Sequence, residues 1–403
     1  MSEQDRPSLL VAKGAFKAMG GAEMDLIRVL PAMNRVFDVT MATIQPSDEL
    51  VMTCSENGIR LIRPESNWEL HTDPVSVILD SGRRTSSRAW ASCPGLREAM
   101  ESSIAMHLVS GDGSLPILDH VPKGLMIHLH LLEPHRGLYE DTLHLRLDGS
   151  PRRSLPLTRA ALSRARRRDQ SLILDLMSRG ESLVSGNSSF SAKRAKEVYG
   201  IEAGVLWPCV DTEEFPSDPS SDPENPYPEE GEYVVSIGRA SYAKGTWETV
   251  SMLSGTGIGL AHVGGGDDES IEMIKSYASK SGVEIWIAPR LESSDLVSLM
   301  RGARAVVSMA HNESFGLTPI ESFAVGTPAL FVDEGGFQDT IIDGVNGRLL
   351  PREDLQSWHT ALIEASDEKT RRRWAEAGRK RISELDLSPQ AHARRIYELL
   401  TDS

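Results

Sequence analysis

Two glutamates in the stretch HNESFGLTPIES form a pattern that could hold a ligand rich in hydroxyl groups. Glu313 and Glu321 stand eight residues apart, and Thr318-Pro319 between them predicts the start of a helix. Carboxylates accept hydrogen bonds from hydroxyls, and the N–H groups of a helix N-terminus attract phosphate. A nucleotide sugar offers both groups. The same residues also fit a capping box in which Glu321 only closes the helix start. The pattern alone leaves both interpretations open.

Two cations occupy a comparable loop, SIGRASYAKGT at 236–246. Arg239 and Lys244 follow a predicted strand and precede a predicted helix, so their side chains could converge on one anion. Arginine binds phosphate as a two-pronged donor, and lysine binds it as a point charge. For two isolated cations in a surface loop, a solvated pair at the mouth of the loop is the simpler interpretation.

Glycines follow two further predicted strands. The loop GAFKAMGGAE (14–23) carries Gly20 and Gly21, and the loop VGGGDDE (263–269) carries Gly265. Glycine lets backbone N–H groups approach an anion closely. The first loop matches neither a P-loop nor the GxGxxG dinucleotide fingerprint. Taken alone, Gly20 and Gly21 are more simply explained by a structural turn.

Short apolar runs alternate with amphipathic stretches along the chain, the pattern of βαβ units and parallel sheets. The predicted strands are 8–13, 37–44, 58–64, 124–132, 182–188, 203–210, 232–239, 258–266, 283–289, 303–310 and 327–333. The predicted helices include 88–102, 191–200, 367–384 and 388–401. We therefore predict an α/β protein of two doubly wound parallel-sheet domains that face each other. Ligands of such sheets bind at the carboxyl ends of the strands.

A break in composition separates the two halves of the chain. Residues 211–232 read DTEEFPSDPSSDPENPYPEEGE, with five prolines among acids and serines, and should form no core element. We predict an N-terminal domain over 1–212, a surface linker over 213–231, a C-terminal domain over 232–387 and a final helix over 388–403.

The bulk composition limits the class of protein. Hydrophobic residues make up 40% of the chain and the formal net charge is −15, which favours globular domains and argues against a nucleic-acid partner. The three cysteines form no CxxC pair, so neither a disulfide framework nor a zinc site is indicated. The N-terminus shows no secretion signal, and no run approaches the roughly 20 apolar residues of a membrane span. We predict a cytoplasmic protein.

Taken together, these motifs resemble those of the family 4 retaining glycosyltransferases, which have the GT-B fold of two facing Rossmann-like domains. The motifs GGAE, NSSFSAKRAKEVYG followed by VLWPCVDTEEF, GR-x4-KG, VGGG, ESFGLTPIES and GGFQDTIIDGVNGRLL occur in the order of the family. The E-x7-E element combined with the Arg-x4-Lys loop is specific. The resemblance implies a hexosyltransferase that moves a hexose from a nucleotide-diphosphate sugar to a hydroxyl acceptor in glycan, glycolipid or polysaccharide biosynthesis.

The resemblance also implies a role for each of the four charged residues. Arg239 and Lys244 would bind the donor diphosphate and stabilise it as the leaving group. Glu313 would hold hydroxyls of the donor sugar, and Glu321 the ribose diol. Arg239, Lys244 and Glu313 are therefore the predicted catalytic residues. The family is thought to use front-face attack, in which the leaving phosphate oxygen receives the acceptor proton.

Backbone groups complete the donor site that the resemblance implies. N–H groups around Phe315, Gly316 and Leu317 would face the phosphate and the sugar. Gly20 and Gly21 would close the diphosphate from the N-terminal domain. The final helix would pack back on that domain, as it does in relatives. The resemblance implies neither a bound metal nor a cofactor, with the nucleotide sugar as co-substrate.

One motif departs from the family pattern. Many relatives carry a histidine just before a Pro-x-Arg on the cleft side of the N-terminal domain, but Leu132 stands at that place before Pro-His-Arg at 134–136. Two nearby histidines are the alternatives after a small shift, although a histidine in an apolar strand is more often a packed core residue. The additional cleft residues that we predict are His128, His130, Gly265 and Arg290.

Donor and acceptor are the least determined parts of the prediction. The relatives that the stretch VLWPCVDTEEF resembles include mannosyltransferases, and this resemblance implies GDP-mannose ahead of a UDP-sugar. The expected acceptor is a sugar, a glycolipid or a small molecule. The arginine-rich segment 151–170 favours a solvated helix face, with peripheral contact to anionic lipids at the cytoplasmic face of the membrane as the alternative. A catalytically silent nucleotide-sugar binding protein and a GT-B nucleotide-sugar epimerase are the rival functions. A nicotinamide oxidoreductase is disfavoured because no GxGxxG appears.

Overall fold

The chain folds into two compact α/β units. The computed structural model describes residues 6–16, 20–66, 68, 81–210, 214–216, 218, 220 and 222–401. The first unit consists of Met1–Tyr139, Pro156–Cys209 and Leu387–Ser403. The second consists of Glu140–Leu155 and Val210–Asp386.

The first unit is built on a parallel sheet of seven strands in the order β3-β2-β1-β4-β5-β6-β7. Its strands are β1 (Ser8–Ala12), β2 (Asp38–Ala42), β3 (Arg60–Ile62), β4 (Ala105–Val109), β5 (Met126–Leu132), β6 (Ser182–Gly186) and β7 (Gly204–Val205). Its helices are α1 (Gly21–Val36), α2 (Asp48–Glu56), α3 (Ser81–Ala91), α4 (Leu96–Ser102), α5 (Arg136–Tyr139), α6 (Leu155–Met177), α7 (Ser189–Tyr199) and α15 (Pro389–Thr401).

Both faces of this first sheet are covered by apolar side chains. Alternate residues of β1 point to opposite faces, so that Leu10 and Ala12 join one buried cluster while Leu9 and Val11 join the other. Burial on both faces is the usual state of a parallel sheet, and it explains why these strands read as continuous apolar runs.

The second unit is built on a parallel sheet of six strands in the order β10-β9-β8-β11-β12-β13. Its strands are β8 (Tyr233–Ile237), β9 (Gly259–Val263), β10 (Ile285–Ile287), β11 (Ala305–Ser308), β12 (Ala329–Val332) and β13 (Arg348–Leu350). Its helices are α8 (Thr246–Leu253), α9 (Asp268–Lys280), α10 (Ser293–Gly302), α11 (Thr318–Val325), α12 (Phe337–Thr340), α13 (Leu355–Glu364) and α14 (Glu368–Leu385).

The predicted fold class is confirmed, while several elements differ from the sequence prediction. Strands β4 and β13 were not predicted, and the predicted strand 203–210 shrinks to two residues. The predicted helix 88–102 is interrupted, because Gly95 adopts a positive φ of 77° and begins a new helix, α4. Proline and glycine together at this point explain the interruption.

Two stretches lie in a different unit from their neighbours in sequence. Glu140–Leu155 falls within the predicted N-terminal domain but is part of the second compact unit. The last helix, α15, is part of the first unit and packs on α1. There the rings of Phe37 and Tyr397 lie 5.4 Å apart, and a ring nitrogen of His392 is 2.8 Å from the carbonyl oxygen of Trp207.

The predicted surface linker is attached to the second unit by several contacts. The ring of Tyr227 stacks on that of Tyr233 at 4.0 Å, and Asp222 forms an ion pair of 2.9 Å with Arg301. Phe215 is buried. The expectation that this stretch contributes nothing to a core is therefore wrong for its aromatic residues. Residues 211–213, 217, 219 and 221 lie outside the described part of the chain.

Within the described ranges, no helix is both long enough and apolar enough to cross a membrane.

Candidate functional site

The best candidate site lies at the carboxyl ends of β8 and β11 in the second unit. These strands are neighbours in the sheet. From β8 the strand order runs one way through β9 and β10, and from β11 it runs the other way through β12 and β13. The helices that follow β8 and β11 therefore leave on opposite sides, which opens a crevice between the two loops. Both charged motifs singled out in the sequence occupy these loops.

Lys244 and Glu313 meet in this crevice. The Nζ atom of Lys244 donates a hydrogen bond of 2.6 Å to Oε2 of Glu313. The lysine side chain is 36% exposed and the glutamate side chain 20% exposed, so both are within reach of a ligand from solvent. The sequence separates the pair by 69 positions, and the topology of the sheet brings it together.

The position of Lys244 is set by a tight turn after β8. The turn Tyr242–Lys244 is a single 3-10 turn, and Gly245 follows with φ at 65°. A Cβ at Gly245 would collide with the carbonyl oxygen of Met309, so glycine allows the two loops to approach. The N–H of His311 donates to the carbonyl of Ala243 at 2.9 Å and joins the loops directly.

The position of Glu313 is set by the glycine pair that follows β12. The N–H of Gly336 donates to the carbonyl of Glu313 at 2.7 Å, and a Cβ at Gly335 would collide with that same carbonyl oxygen. Asn312, just before Glu313, has φ at 49°, a left-handed conformation that asparagine tolerates better than most residues. The motif GGFQDT thus acts as a support for the acidic loop.

The start of α11 differs from the predicted capping box. Leu317 occupies the N-cap position, and no side chain caps the helix there. Among the described residues, the backbone N–H groups of Gly316 and Leu317 donate to no protein acceptor. Gly316 has φ at 80°, and Phe315 is buried at 2% exposure. The structure thus leaves free donors at this helix N-terminus, which can attract an anion.

A second layer of charged residues lies behind the pair, and sequence inspection missed it. One ring nitrogen of His311 is 2.8 Å from Oε1 of Glu248, and the ring stacks on Tyr242 at 4.5 Å. Arg352 forms a two-pronged pair with Glu334, at 2.9 and 2.7 Å, and also donates to the carbonyl of Met309. These contacts fix the backbone at the end of β11, from which Glu313 extends. Only the structure reveals them, since the residues are scattered over a hundred positions.

For the other predicted cations and the other predicted glycine of this unit, the structure shows their position relative to the sheet but, in the described part of the chain, no hydrogen bond or ion pair with Lys244 or Glu313. Arg239 follows β8 and is exposed. The N–H of Ala240 donates to the carbonyl of Gly265 at 2.7 Å, which sets the β9 loop beside that of Arg239. Arg290 is exposed and follows β10, an edge strand that β9 separates from β8. The sheet therefore brings Gly265 beside the loop of Arg239, while Arg290 follows a strand two places away from β8. Asp267 caps α9 by accepting from the N–H of Ser270 at 2.9 Å.

In the first unit, the predicted glycines lie beside a buried lysine that was not predicted. Gly20 and Gly21 are exposed, and the N–H of Gly20 donates to Glu23 at 3.0 Å. Glu23 also forms an ion pair of 3.0 Å with Lys13, which is only 1% exposed and donates to the carbonyl of Ser110. Lys13 directly follows β1, and this position after a buried strand is the signal that could have identified it.

The two candidate histidines belong to the core of the first unit, which corrects their assignment to a cleft. His128 and His130 are 0% and 2% exposed, because β5 is an inner strand of a sheet that is covered on both faces. His128 contacts a ring nitrogen of His107 at 2.9 Å and the hydroxyl of Ser185 at 3.0 Å. Burial lowers the pKa of His128 to about 3. Leu132, at the place of the family histidine, has φ at 61°.

Solved structures share this two-unit fold. Sucrose-phosphate synthase from Thermosynechococcus elongatus superposes with a TM-score of 0.71 at 16% identity, covering 98% of each chain. The Anabaena protein HepE in complex with UDP and glucose superposes with a TM-score of 0.69 at 14% identity, covering 99% of this chain and 100% of its own. At such identities the likeness concerns the fold alone, and it defines a GT-B protein of two Rossmann-like units.

The sequence comparisons find a similarity to one family within the second unit. Residues 217–381 match the family model described as Glycosyl transferases group 1. The D-inositol 3-phosphate glycosyltransferase of Thermobispora bispora is 30% identical over 149 residues, which are 36% of this chain and 35% of that protein. The curated relatives are matched over only 17% to 44% of their own lengths. The resemblance to GT-B glycosyltransferases that the sequence motifs predicted is confirmed.

Proposed function

We propose that the protein is a retaining hexosyltransferase that moves a hexose from a nucleotide-diphosphate sugar to a hydroxyl acceptor. The observation that supports this most directly is the contact of Lys244 with Glu313 at the strand-order reversal of the second sheet. A cation, a carboxylate and free backbone donors share one crevice there. These groups match the diphosphate and hydroxyl groups of a nucleotide sugar.

In the proposed reaction, Lys244 and Arg239 stabilise the charge that grows on the leaving diphosphate. The Nζ atom of Lys244 has three donors, of which Glu313 uses one, so a phosphate can be bound without displacing the glutamate. Glu313 then orients the sugar hydroxyls, and the N–H groups of Gly316 and Leu317 face the phosphate. The leaving phosphate oxygen takes the acceptor proton, so the protein acts mainly by positioning and electrostatics. The proposed mechanism uses no metal ion and no cofactor.

Both donor classes are kept in the proposal. The sequence motif VLWPCVDTEEF favours GDP-mannose, whereas the Anabaena structure holds UDP and glucose. We propose GDP-mannose first and a UDP-sugar second. The acceptor is a sugar, a glycolipid or a small molecule. Transfer of the hexose to it would take place in the cytoplasm or at the cytoplasmic face of a membrane.

A thermal-shift panel of nucleotide sugars tests the proposal first. A donor present at 100 times its dissociation constant should raise the free energy of unfolding by about 2.7 kcal/mol. The panel is run in parallel on the Lys244→Ala protein and on a Lys275→Ala control, which removes an exposed lysine of the same unit. We expect one donor to stabilise the native protein and the control, but not Lys244→Ala. Equal stabilisation of all three proteins would overturn the assigned site.

Release of nucleoside diphosphate from the stabilising donor, measured with and without candidate acceptors, tests the reaction itself. A transferase releases diphosphate and yields a glycosylated acceptor with the anomeric configuration of the donor. Donor binding without any release would favour the silent binding protein, and conversion of the donor into an epimeric nucleotide sugar without net release of diphosphate would favour an epimerase.

A further inference from the structure

A second concave region of the protein carries a concentration of positive charge that the proposed reaction does not use. In the first unit, helix α3, the turn Leu115–His120 and helix α6 line an open surface pocket of about 400 Å³. This volume falls in the range that small-molecule sites occupy, about 300–1,000 Å³. The side chains that line the pocket are Arg83, Arg84, Ser87, Arg88, Asp119 and Arg168.

Among the described residues that line the pocket, four are arginines and one carries a carboxylate. Asp119 is already engaged, since Arg83 forms an ion pair with it at 2.8 Å. Within the described ranges, neither Arg84 nor Arg88 has an acidic side chain at ion-pair distance. The contrast with the formal net charge of −15 shows that this charge is local.

Helix α3 itself concentrates the charge. Its sequence, SGRRTSSRAWA, contains three arginines and no acidic residue. Arg84 and Arg88 are four positions apart, so they lie on the same face, where like charges destabilise a helix by about 0.2–0.5 kcal/mol. Arg168 contributes a further charge from α6. A bound anion would remove the repulsion and would gain two-pronged hydrogen bonds from the guanidinium groups.

We propose that this pocket binds a phosphate group, carried either by a soluble metabolite or by a lipid head group. The chemistry is the same for both sources, because guanidinium forks match the oxygens of a phosphate in either case. The pocket is separate from the proposed donor site at Lys244 and Glu313, since none of its residues belongs to the second unit.

Calorimetric titration with inorganic pyrophosphate tests the proposal, using proteins that all carry Lys244→Ala to weaken the proposed donor site. The pocket variant is Arg84→Gln with Arg88→Gln, two exposed side chains whose replacement leaves the core intact. The matched control is Arg97→Gln with Arg372→Gln, which removes the same charge from arginines that are 88% and 75% exposed elsewhere. A third protein, Arg84→Lys with Arg88→Lys, keeps the charge and removes the forks.

We expect the pocket variant to bind pyrophosphate about tenfold or more weakly than the control, because charge-assisted hydrogen bonds are lost. The lysine variant should fall between them. Equal binding by the pocket variant and the control would overturn the proposal. It would also be overturned if the protein with Lys244→Ala alone bound neither pyrophosphate nor vesicles. Thermal melting of each protein checks that the fold is unchanged.

Sedimentation with vesicles separates the two sources of phosphate. One set of vesicles is phosphatidylcholine alone, and the other contains phosphatidylglycerol as well. Binding to the anionic vesicles that the pocket variant loses and the control retains would assign the pocket to a lipid head group. Pyrophosphate binding without vesicle binding would assign it to a soluble phosphorylated ligand.

Discussion

Lys244 and Glu313 neutralise one another in the ligand-free protein, and this sets what substitutions at either residue should do. Their side chains are 36% and 20% exposed, so solvent screens the pair. Partly exposed ion pairs contribute only about 0–1 kcal/mol to the free energy of unfolding. Loss of either side chain should therefore leave folding almost unchanged, and any large change in turnover would report on chemistry at the site.

Alanine at Lys244 should lower turnover strongly. Removal of a donor that stabilises charge in a transition state costs about 2.7–4 kcal/mol, which corresponds to a loss of about 10²–10³ in kcat. The melting temperature should stay close to that of the parent protein. Lys275→Ala is the matched control and should keep full activity. Unchanged kinetics in Lys244→Ala would return the pair to a solvated ion pair without function.

Substitutions of the two glutamates should have different effects on turnover and nucleotide binding, because the proposed roles of the residues differ. Glu313→Gln should depress turnover and leave affinity for the free nucleoside diphosphate nearly intact, since that ligand lacks the hexose. Glu321→Gln should weaken binding of both the donor and the free nucleotide. Calorimetric titration of the nucleoside diphosphate into each variant measures the difference. Normal nucleotide binding by Glu321→Gln would remove this residue from the site.

The revised start of α11 also changes one expectation about stability. A capping box would have made Glu321 part of the helix cap, and loss of a cap costs about 1 kcal/mol. In the structure, Leu317 is at the N-cap position and no side chain caps the helix. Substitution of Glu321 therefore removes no helix cap, and the cost of a lost cap is not expected. Melting curves of the glutamate variants should then differ little from one another.

At the level of elements, the site depends on how closely three loops approach. The loops after β8, β11 and β12 meet through glycines at which a side chain would meet backbone. Gly245 approaches Met309, and Gly335 approaches the carbonyl of Glu313. The glycines therefore fix the separation between the loop of Lys244 and the loop of Glu313, although glycine has no side chain that could contact a ligand.

Alanine at Gly335 should displace the acidic loop, and Gly344 offers a matched control. Both glycines have a positive φ, 66° and 71°, so alanine introduces a similar backbone strain of roughly 1–2 kcal/mol at each. At Gly344 a Cβ would meet nothing within 4 Å, whereas at Gly335 it would collide with Glu313. We expect both variants to melt earlier and only Gly335→Ala to lose donor binding, as measured by calorimetry. Equal loss of binding in the two variants would contradict the proposed role of this contact.

At the level of the whole molecule, the parallel alternation of strands and helices was predictable, and the irregular parts were not. Strand β4 reads AMHLV and is buried along its full length, so it lacks the alternation that marks a half-buried strand. The histidine in the middle of this strand also interrupts the apolar run by which a buried strand is recognised. The membership of Glu140–Leu155 in the second unit depends on contacts between distant parts of the chain, which no local pattern encodes.

The same division applies to the site. Lys244 and Glu313 could be singled out from residue types and spacing, because strand-end loops converge wherever the sheet is parallel. His311 and Arg352 could not, since their contacts with Glu248 and Glu334 arise only in the folded chain. His128 and His130 show the opposite error, where residue type suggested chemistry and strand alternation placed both rings in the core.

Buried histidines should make the stability of the protein depend on pH. Four of them, His107, His128, His130 and His392, gather in the first unit, and His262 lies in the second. Burial lowers the pKa of each, to about 3 for His128 and about 4 for His262. The contact of 2.9 Å between ring nitrogens of His107 and His128 is a hydrogen bond only if one nitrogen carries a proton and the other does not. Protonation of both facing nitrogens would break it.

The sign of the effect follows from which state binds protons first. Below about pH 6.5 the unfolded chain protonates its histidines, while the folded protein keeps His262 neutral down to about pH 4 and His128 down to about pH 3. The unfolded state then binds more protons, so the free energy of unfolding falls as the pH falls through this window. Each such histidine contributes a slope of up to about 1.4 kcal/mol per pH unit. Above pH 7 the contribution is fully present and constant.

Replacement of His262 by leucine tests this linkage in the second unit. His262→Leu should flatten the dependence of the melting temperature on pH between 6.5 and 4.5, because one group no longer takes up a proton on unfolding. The control His120→Gln removes an exposed histidine and should keep the slope of the parent protein. Melting curves at pH 7.5, 6.5, 5.5 and 4.5 provide the comparison. A parent protein whose stability does not change between pH 7.5 and 4.5 would show that the histidines are already charged, or already solvated, in the folded state.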